Sequence, residues 1–254
     1  MRHFRWLLAF ALAIALPCGA AEVRVMISGG FGAAYDALID DFMRKTGHTV
    51  VTARGPSMGT TPQAIPNRMD RGEPVDVLIM VREALDGLAD RGKVVPDSRV
   101  DLARSSIAMA VKAGAPRPDI STMDAFRKTL TEAKSIAYSD SASGVYLQNV
   151  LFPRLGMADL KIKSRMIPAE PVGKVVARGE AEIGFQQLSE LKHAHEGITI
   201  VGLIPFEAQK ITLFSAGIAA AAPQPVAGKQ LIEFLSSPEA QPVITQTGLE
   251  SMSR

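Results

Sequence analysis

The chain has 254 residues, with 28 lysines and arginines against 26 aspartates and glutamates and a single cysteine, Cys18. So even a balance argues against a nucleic-acid or membrane surface as partner, and one cysteine excludes an internal disulfide and a cysteine-built metal site. The length suits one large domain or two modest ones.

Residues 1–20 read as a secretory signal segment. Arg2, His3 and Arg5 precede an apolar run from Trp6 to Leu16, and Cys18-Gly19-Ala20 offers a small-residue cleavage site. The run is shorter than the roughly 20 residues that span a bilayer, so stable membrane insertion is not expected. A lipoprotein signal would want leucine and a small residue where Ala15 and Pro17 stand, so lipidation is not expected either. Losing Arg2 and Arg5 brings the net charge of +2 to zero and removes the only thiol. The expected location is the periplasm.

A β-branched run from Val23 to Ile27 stops at Ser28-Gly29-Gly30. Ala34, Leu38, Ile39 and Phe42 then recur at helical spacing, which predicts a strand, a tight glycine turn and a helix ending at Gly47. Two glycines would let the backbone approach a ligand, and a helix N-terminus with free N–H groups suits an anion. An ordinary βα turn explains the same residues when they are taken alone. Strands are predicted at Thr49–Ala53 and Val75–Met80, with helices at Ile65–Arg71 and Ala84–Leu88. This βαβαβα order implies parallel strands and right-handed crossovers.

Near Arg104-Ser105-Ser106 the chain leaves this unit through a strand at Ile107–Lys112. A helix at Met123–Glu132, a strand at Lys134–Tyr138 and a hydroxyl-rich turn, Ser139-Asp140-Ser141-Ala142-Ser143-Gly144, follow, and the turn opens a helix to Leu155. Strands at Lys161–Ile167, Ile183–Gln187 and Ile198–Val201 flank a helix at Val172–Arg178, with Pro171 at its start. Lys210–Ala222 is a long apolar strand that returns to the first unit, before helices at Val226–Leu235 and near Gln246. The expected architecture is α/β: residues 21–105 with 206–254 form one lobe, residues 106–205 a second lobe inserted in it, and a ligand cleft lies between them.

With these elements in place, the chain resembles the type II periplasmic solute-binding proteins, most of all their molybdate-binding branch. The resemblance runs over the whole mature sequence and is carried by Val25–Ala34, by Arg71-Gly72-Glu73-Pro74-Val75-Asp76-Val77, by Ala177 to Gly184 and by Phe234 to Gln241. It implies a small anionic ligand (a tricarboxylate, another carboxylate or an oxyanion) and an ABC permease as partner. Ser57 matches a hydroxyl position of that branch. The branch is expected to carry a serine where this chain has Gly30, and a tyrosine where it has Gln186 or Gln187. Those departures favour an elongated organic anion over a tetrahedral oxyanion. The phrase Ile27-Ser28-Gly29-Gly30-Phe31-Gly32-Ala33-Ala34-Tyr35 also resembles a group of periplasmic aconitate isomerases built on the same scaffold.

Candidate ligand contacts are therefore Ser28, Gly29, Gly30 and Phe31 on the first turn, and Ser141, Ser143 and Gly144 on the second. Each turn alone is more often a helix cap; two facing one cleft suggest carboxylate oxygens between them. Arg54, straight after a strand, can hold a carboxylate bidentately, and Arg104 stands at the crossing between lobes. Gln186 and Gln187 end a strand, and alternation turns only one of them, taken as Gln186, into the cleft. Moving a double bond requires a positioned acid/base group, for which Glu170 and Tyr146 are the candidates. His193 and His195 read as surface residues, and neither a metal nor a cofactor is expected. There is no phosphate loop, nucleophile elbow or zinc motif. Two functions stand: a binding protein that hands a small carboxylate or oxyanion to an ABC transporter, or an isomerase interconverting trans- and cis-aconitate.

Overall fold

The structure is a computed structural model describing residues 19–252 except Ala169 and His195. The expected signal segment as far as Cys18, and His195, lie outside the described residues.

The first sheet begins with β1 (Glu22–Ile27), α1 (Gly29–Thr46), β2 (Thr49–Arg54), α2 (Ile65–Asp70), β3 (Val77–Val81) and α3 (Arg82–Asp90). β1 pairs in parallel with both β2 and β3, as the βαβαβα pattern predicts. β3 is buried throughout, and alternation divides it between two cores. Val77, Ile79 and Val81 pack with Phe31, Tyr35 and Leu38 of α1, while Leu78 and Met80 pack with Ile65, Met69, Leu85 and Leu88 of α2 and α3. Asp76, fully buried just before β3, accepts the Arg24 N–H at 2.7 Å and the Gln224 N–H at 2.6 Å. One carboxylate thus joins β1 to a segment 148 residues beyond Asp76.

β4 (Val100–Ser105) was not predicted, because Asp101 and Arg104 interrupt its apolar run. It leads through Ser106 into the second sheet. That sheet comprises β5 (Ile107–Lys112), α4 (Met123–Glu132), β6 (Ile136–Ser139), α5 (Ala142–Tyr146), a π turn at Leu147–Leu151, α6 (Phe152–Arg154), a 3₁₀ turn at Ala158–Ile162, β7 (Ser164–Ile167), α7 (Val172–Ala177), β8 (Ile183–Gln187), α8 (Leu188–His193) and β9 (Ile198–Leu203). The strand expected from Lys161 is shorter because the 3₁₀ turn takes its first residues. Ile107, Met109 and Val111 of β5 meet Phe126, Tyr138 and Phe185 on one face. Gly184 allows α7 onto the other, since a Cβ there would lie 2.5 Å from Val176 and 2.8 Å from Val172.

The chain then returns to the first sheet with β10 (Thr212–Ile218), α9 (Pro225–Leu235), α10 (Gln241–Gln246) and the two-residue β11 (Glu250–Ser251). The strand orders are β11-β4-β10-β3-β1-β2 and β7-β6-β8-β5-β9, two sheets joined by two crossings. Gln209, in the second crossing, grips the first: its Oε1 accepts the Ile107 N–H at 2.7 Å and its Nε2 donates to the Ile107 carbonyl at 2.9 Å. The lobes also meet where α8 lies against α1, with Ser189 Oγ donating to the Gly30 carbonyl at 2.7 Å. Among the described residues no helix is long and apolar enough to cross a membrane.

Candidate functional site

Between the two lobes lies a cavity of about 280 Å³, near the lower end of the roughly 300–1,000 Å³ usual for small-molecule sites. The first lobe contributes the end of β1 at Ser28 with Gly29 and Gly30, the end of β2 at Arg54, and Phe214 of β10. The second lobe contributes Ser139 to Ser143, Glu170, the paired amides Gln186 and Gln187, and Glu190. Ligands collect at the carboxyl ends of strands in open α/β sheets, and β1, β2, β6 and β8 all end here.

The first turn differs from its expected form. Helix α1 begins at Gly29 directly after Ser28, so both glycines sit in its first turn and no separate glycine turn precedes it. Each glycine also faces protein. A Cβ on Gly30 would fall 2.6 and 2.7 Å from Cε2 and Cε1 of Phe214 and closer still to Cζ; a Cβ on Gly29 would collide with Glu190 Oε1. Ser28 is buried, its N–H donates to the Ile79 carbonyl at 2.9 Å, and its hydroxyl has no partner among the described residues. A buried hydroxyl without a partner on a cavity wall costs stability unless something in the cavity meets it.

Of the other predicted contacts, Arg54, Ser141, Ser143, Gln186 and Glu170 line the cavity. Arg54 is the one cation among the described lining residues, and it is ion-paired with Asp36 of α1. Ser143 Oγ lies 3.0 Å from Ser139 Oγ. Glu170 is held bidentately by Arg178 at 2.7 and 3.1 Å, which keeps its carboxyl below the usual range. A carboxylate so held is a poor proton acceptor.

Five predicted residues do not line the cavity. Phe31 is in the α1 core, fully buried. Ser57 Oγ accepts the Val81 N–H at 2.9 Å and so shapes the end of β3 from beneath. Arg104 faces Glu250 of β11 at 3.8 Å. Tyr146 donates its hydroxyl to the Ala208 carbonyl at 3.1 Å, tying α5 to the second crossing. Gly144 supports its turn: a Cβ there would collide with the Ser139 carbonyl oxygen, whose carbon would be 2.7 Å away.

Both glutamines reach the cavity, although strict alternation would admit one. β8 ends at Gln187, whose backbone (φ −57°, ψ 139°) already turns into α8 and swings its side chain out of register. Gln187 Nε2 donates to Thr212 Oγ1 at 2.9 Å, leaving a buried Oε1 without a partner among the described residues.

The sequence reading passed over Glu190. It is the third residue of α8 after the cap at Gln187, the position from which a glutamate reaches back to the cap's own N–H. Burial, with a smaller contribution from the nearby Asp140 charge, pushes its carboxyl up to about 7, against the opposing influence of the Gln186 side chain and the Gln187 backbone. A carboxyl so tuned exchanges a proton readily at neutral pH. The capping spacing Gln187-Leu188-Ser189-Glu190 could have revealed the helix; only the docking of α8 on α1 places the carboxyl in the cleft.

These features can be set against known proteins. An aconitate isomerase of a Pseudomonas sp. is 55% identical over 229 residues, 90% of this chain and 87% of that protein. The molybdate-binding protein ModA of Rhodobacter capsulatus is 25% identical over 245 residues, 95% of this chain and 93% of that one. The solved periplasmic molybdate-binding protein of Azotobacter vinelandii superposes with a TM-score of 0.72 at 21% identity, over 91% of this chain and 100% of that structure. Residues 23–250 match the family described as bacterial extracellular solute-binding protein. The chain belongs to that family, on a two-lobed scaffold like that of the molybdate-binding proteins.

Proposed function

We propose that this protein is a periplasmic isomerase that moves the double bond of an unsaturated tricarboxylate, interconverting trans- and cis-aconitate. The observation that carries the reading is Glu190: a carboxyl on the wall of the inter-lobe cavity, tuned to about 7. The similarity to the Pseudomonas aconitate isomerase supports the same substrate.

In this reading the ionised Glu190 removes a proton from the methylene carbon beside the double bond. The electron pair left behind spreads over three carbons and onto an attached carboxylate, and the proton is returned at the far carbon. Bonds and charge balance with no other reactant. Stabilising the transient anion falls to donors on the cavity wall: the Ser28 hydroxyl, the first-turn amides of α1, and the hydroxyls of Ser141 and Ser143. Arg54 pairs with one substrate carboxylate. Purified protein incubated with trans-aconitate should yield cis-aconitate on chromatography; no conversion at substoichiometric or stoichiometric enzyme would end the isomerase reading.

Replacing Arg54 by alanine should weaken tricarboxylate binding by about fivefold. The effect is modest because the side chain is half exposed and shared with Asp36. Calorimetry reads it directly, and unchanged affinity would remove Arg54 from the site.

Family membership supports a second reading, in which the cleft only binds a carboxylate and presents it to an ABC permease. It predicts tight binding without conversion.

A further inference from the structure

The two glycines that open α1 face different neighbours. At Gly30 an added Cβ meets the buried Phe214 ring, so that glycine serves the packing of the first lobe. At Gly29 the three atoms nearest an added Cβ all belong to Glu190: Cγ at 3.7 Å, Cδ at 3.3 Å and Oε1 closer still. The Glu190 carboxyl therefore lies in the gap where a side chain on Gly29 would begin, and both residues line the cavity. Helix α8, which carries Glu190, is tied to the first lobe by residues on either side of it in sequence. Ser189 Oγ donates to the Gly30 carbonyl at 2.7 Å, and Lys192 Nζ to the Gln246 carbonyl at 3.2 Å. The carboxyl thus crosses from the second lobe to the first turn of α1, and that turn lacks the one group that would obstruct it.

We propose that Gly29 is a positioning residue: its missing side chain leaves room for the Glu190 carboxyl against the first turn of α1, on the wall that meets the ligand. The proposal rests on the reading of Glu190 as the acid/base group. A helix start alone gives no reason for glycine here. The Gly29 φ lies outside the left-handed region, so any L residue could adopt this backbone, and glycine is a poor helix former. What glycine supplies at this position is space. The atoms it makes space for are the far end of a flexible side chain, so a methyl group would displace the carboxyl while the packing of α1 and α8 stays as it is. Displacement by about 1 Å is enough to matter, because a proton acceptor must lie within hydrogen-bond reach of the proton it takes.

Gly29→Ala should lower kcat for trans-aconitate by about 10²-fold, the cost of a misplacement of about 1 Å. Its thermal midpoint should match that of the unaltered protein or exceed it, since alanine favours a helix. The methyl group also borders the cavity, so ligand binding is read separately, by calorimetry with tricarballylate, a saturated tricarboxylate with no double bond to move. That affinity should stay within about threefold of the unaltered protein's. Glu190→Asp withdraws the carboxyl from the gap by one methylene, and in that background Gly29→Ala should cost little further rate. A crystal structure of the Gly29→Ala protein should show the Glu190 carboxyl displaced and the α1 and α8 backbones in place. Four results overturn the proposal: a kcat within about threefold of the unaltered protein's, a carboxyl that has not moved, an equal loss of rate in the aspartate background, or a comparable loss of tricarballylate affinity. Absence of aconitate turnover in the unaltered protein would instead end the isomerase reading, while the crystal structure still decides whether Gly29 places the carboxyl.

Discussion

Glu190→Gln should lower isomerisation of trans-aconitate by about 10²–10⁴-fold, the usual range for removing a positioned acid/base group, while tricarboxylate binding persists. Glutamine keeps the shape and one acceptor oxygen, so the loss reports proton transfer rather than collapse of the cleft. The same substitution should stabilise the fold at alkaline pH. The ordinary glutamate value is 4.5 and the folded one about 7, so between these the native chain holds a proton that the unfolded chain has released. Stability therefore falls as pH rises through that window, and the deficit is complete above 7. It amounts to at most about 3 kcal/mol. E190Q has no such deficit. Denaturation of both proteins at pH 5 and pH 8 should show the variant gaining stability on the unaltered chain at the higher pH. Activity within tenfold of the unaltered protein would eliminate Glu190 as the proton carrier. An equal stability difference at both pH values would mean that its carboxyl titrates normally. A group that costs the fold stability yet is needed for turnover is what a trade between stability and activity looks like.

The scaffold was readable because its signals are local. Val77 to Val81 is apolar at every position, which only a strand covered on both faces tolerates, and β1, β2 and β3 pair in parallel as their alternation with helices implies. β4 escaped because Asp101 and Arg104 break its pattern; they find partners in Arg82 and Ser215, and in Glu250, none of them nearby in sequence. β11 is too short to leave any periodicity.

The site was half legible for a related reason. Strand ends followed by Ser/Gly turns mark where a cleft opens, and Ser28, Ser141 and Ser143 all lie on it. What such turns do not reveal is which neighbour crosses from the other lobe. Ser189 meets Gly30 across 159 residues of sequence, and that contact carries Glu190 to the mouth of α1. Glu170, beside Pro171, is an acid/base candidate by residue type, but Arg178 eight residues on neutralises it. Helical geometry does not announce that pairing in advance, because Glu170 lies outside α7.

Gly30→Ser should destabilise the protein by about 1–3 kcal/mol, the range for overpacking a filled core, and should confer no affinity for molybdate. A serine here is what the resemblance to the molybdate-binding branch implies for that branch, so the substitution restores an expected hydroxyl. The space for it is taken: the Cβ alone would press into the buried Phe214 ring, which is packed in the core of the first lobe beside Ala216 and Ile218. A small gain in helix propensity, about 0.5–1 kcal/mol for replacing a glycine, offsets only part of this. Phe214→Leu costs stability by itself but shortens the obstacle, so the double variant should be more stable than the sum of the single effects by about 1 kcal/mol or more. Urea denaturation of the four proteins measures that coupling, and calorimetry with molybdate measures the second claim. A Gly30→Ser protein as stable as the unaltered one would show that the ring yields, and molybdate binding by it would show that one hydroxyl separates the two ligand classes. With neither result, the glycine and the ring act as a unit: Gly30 admits Phe214, Gly29 admits Glu190, and the first turn of α1 can offer a ligand backbone N–H groups but no hydroxyl at position 30.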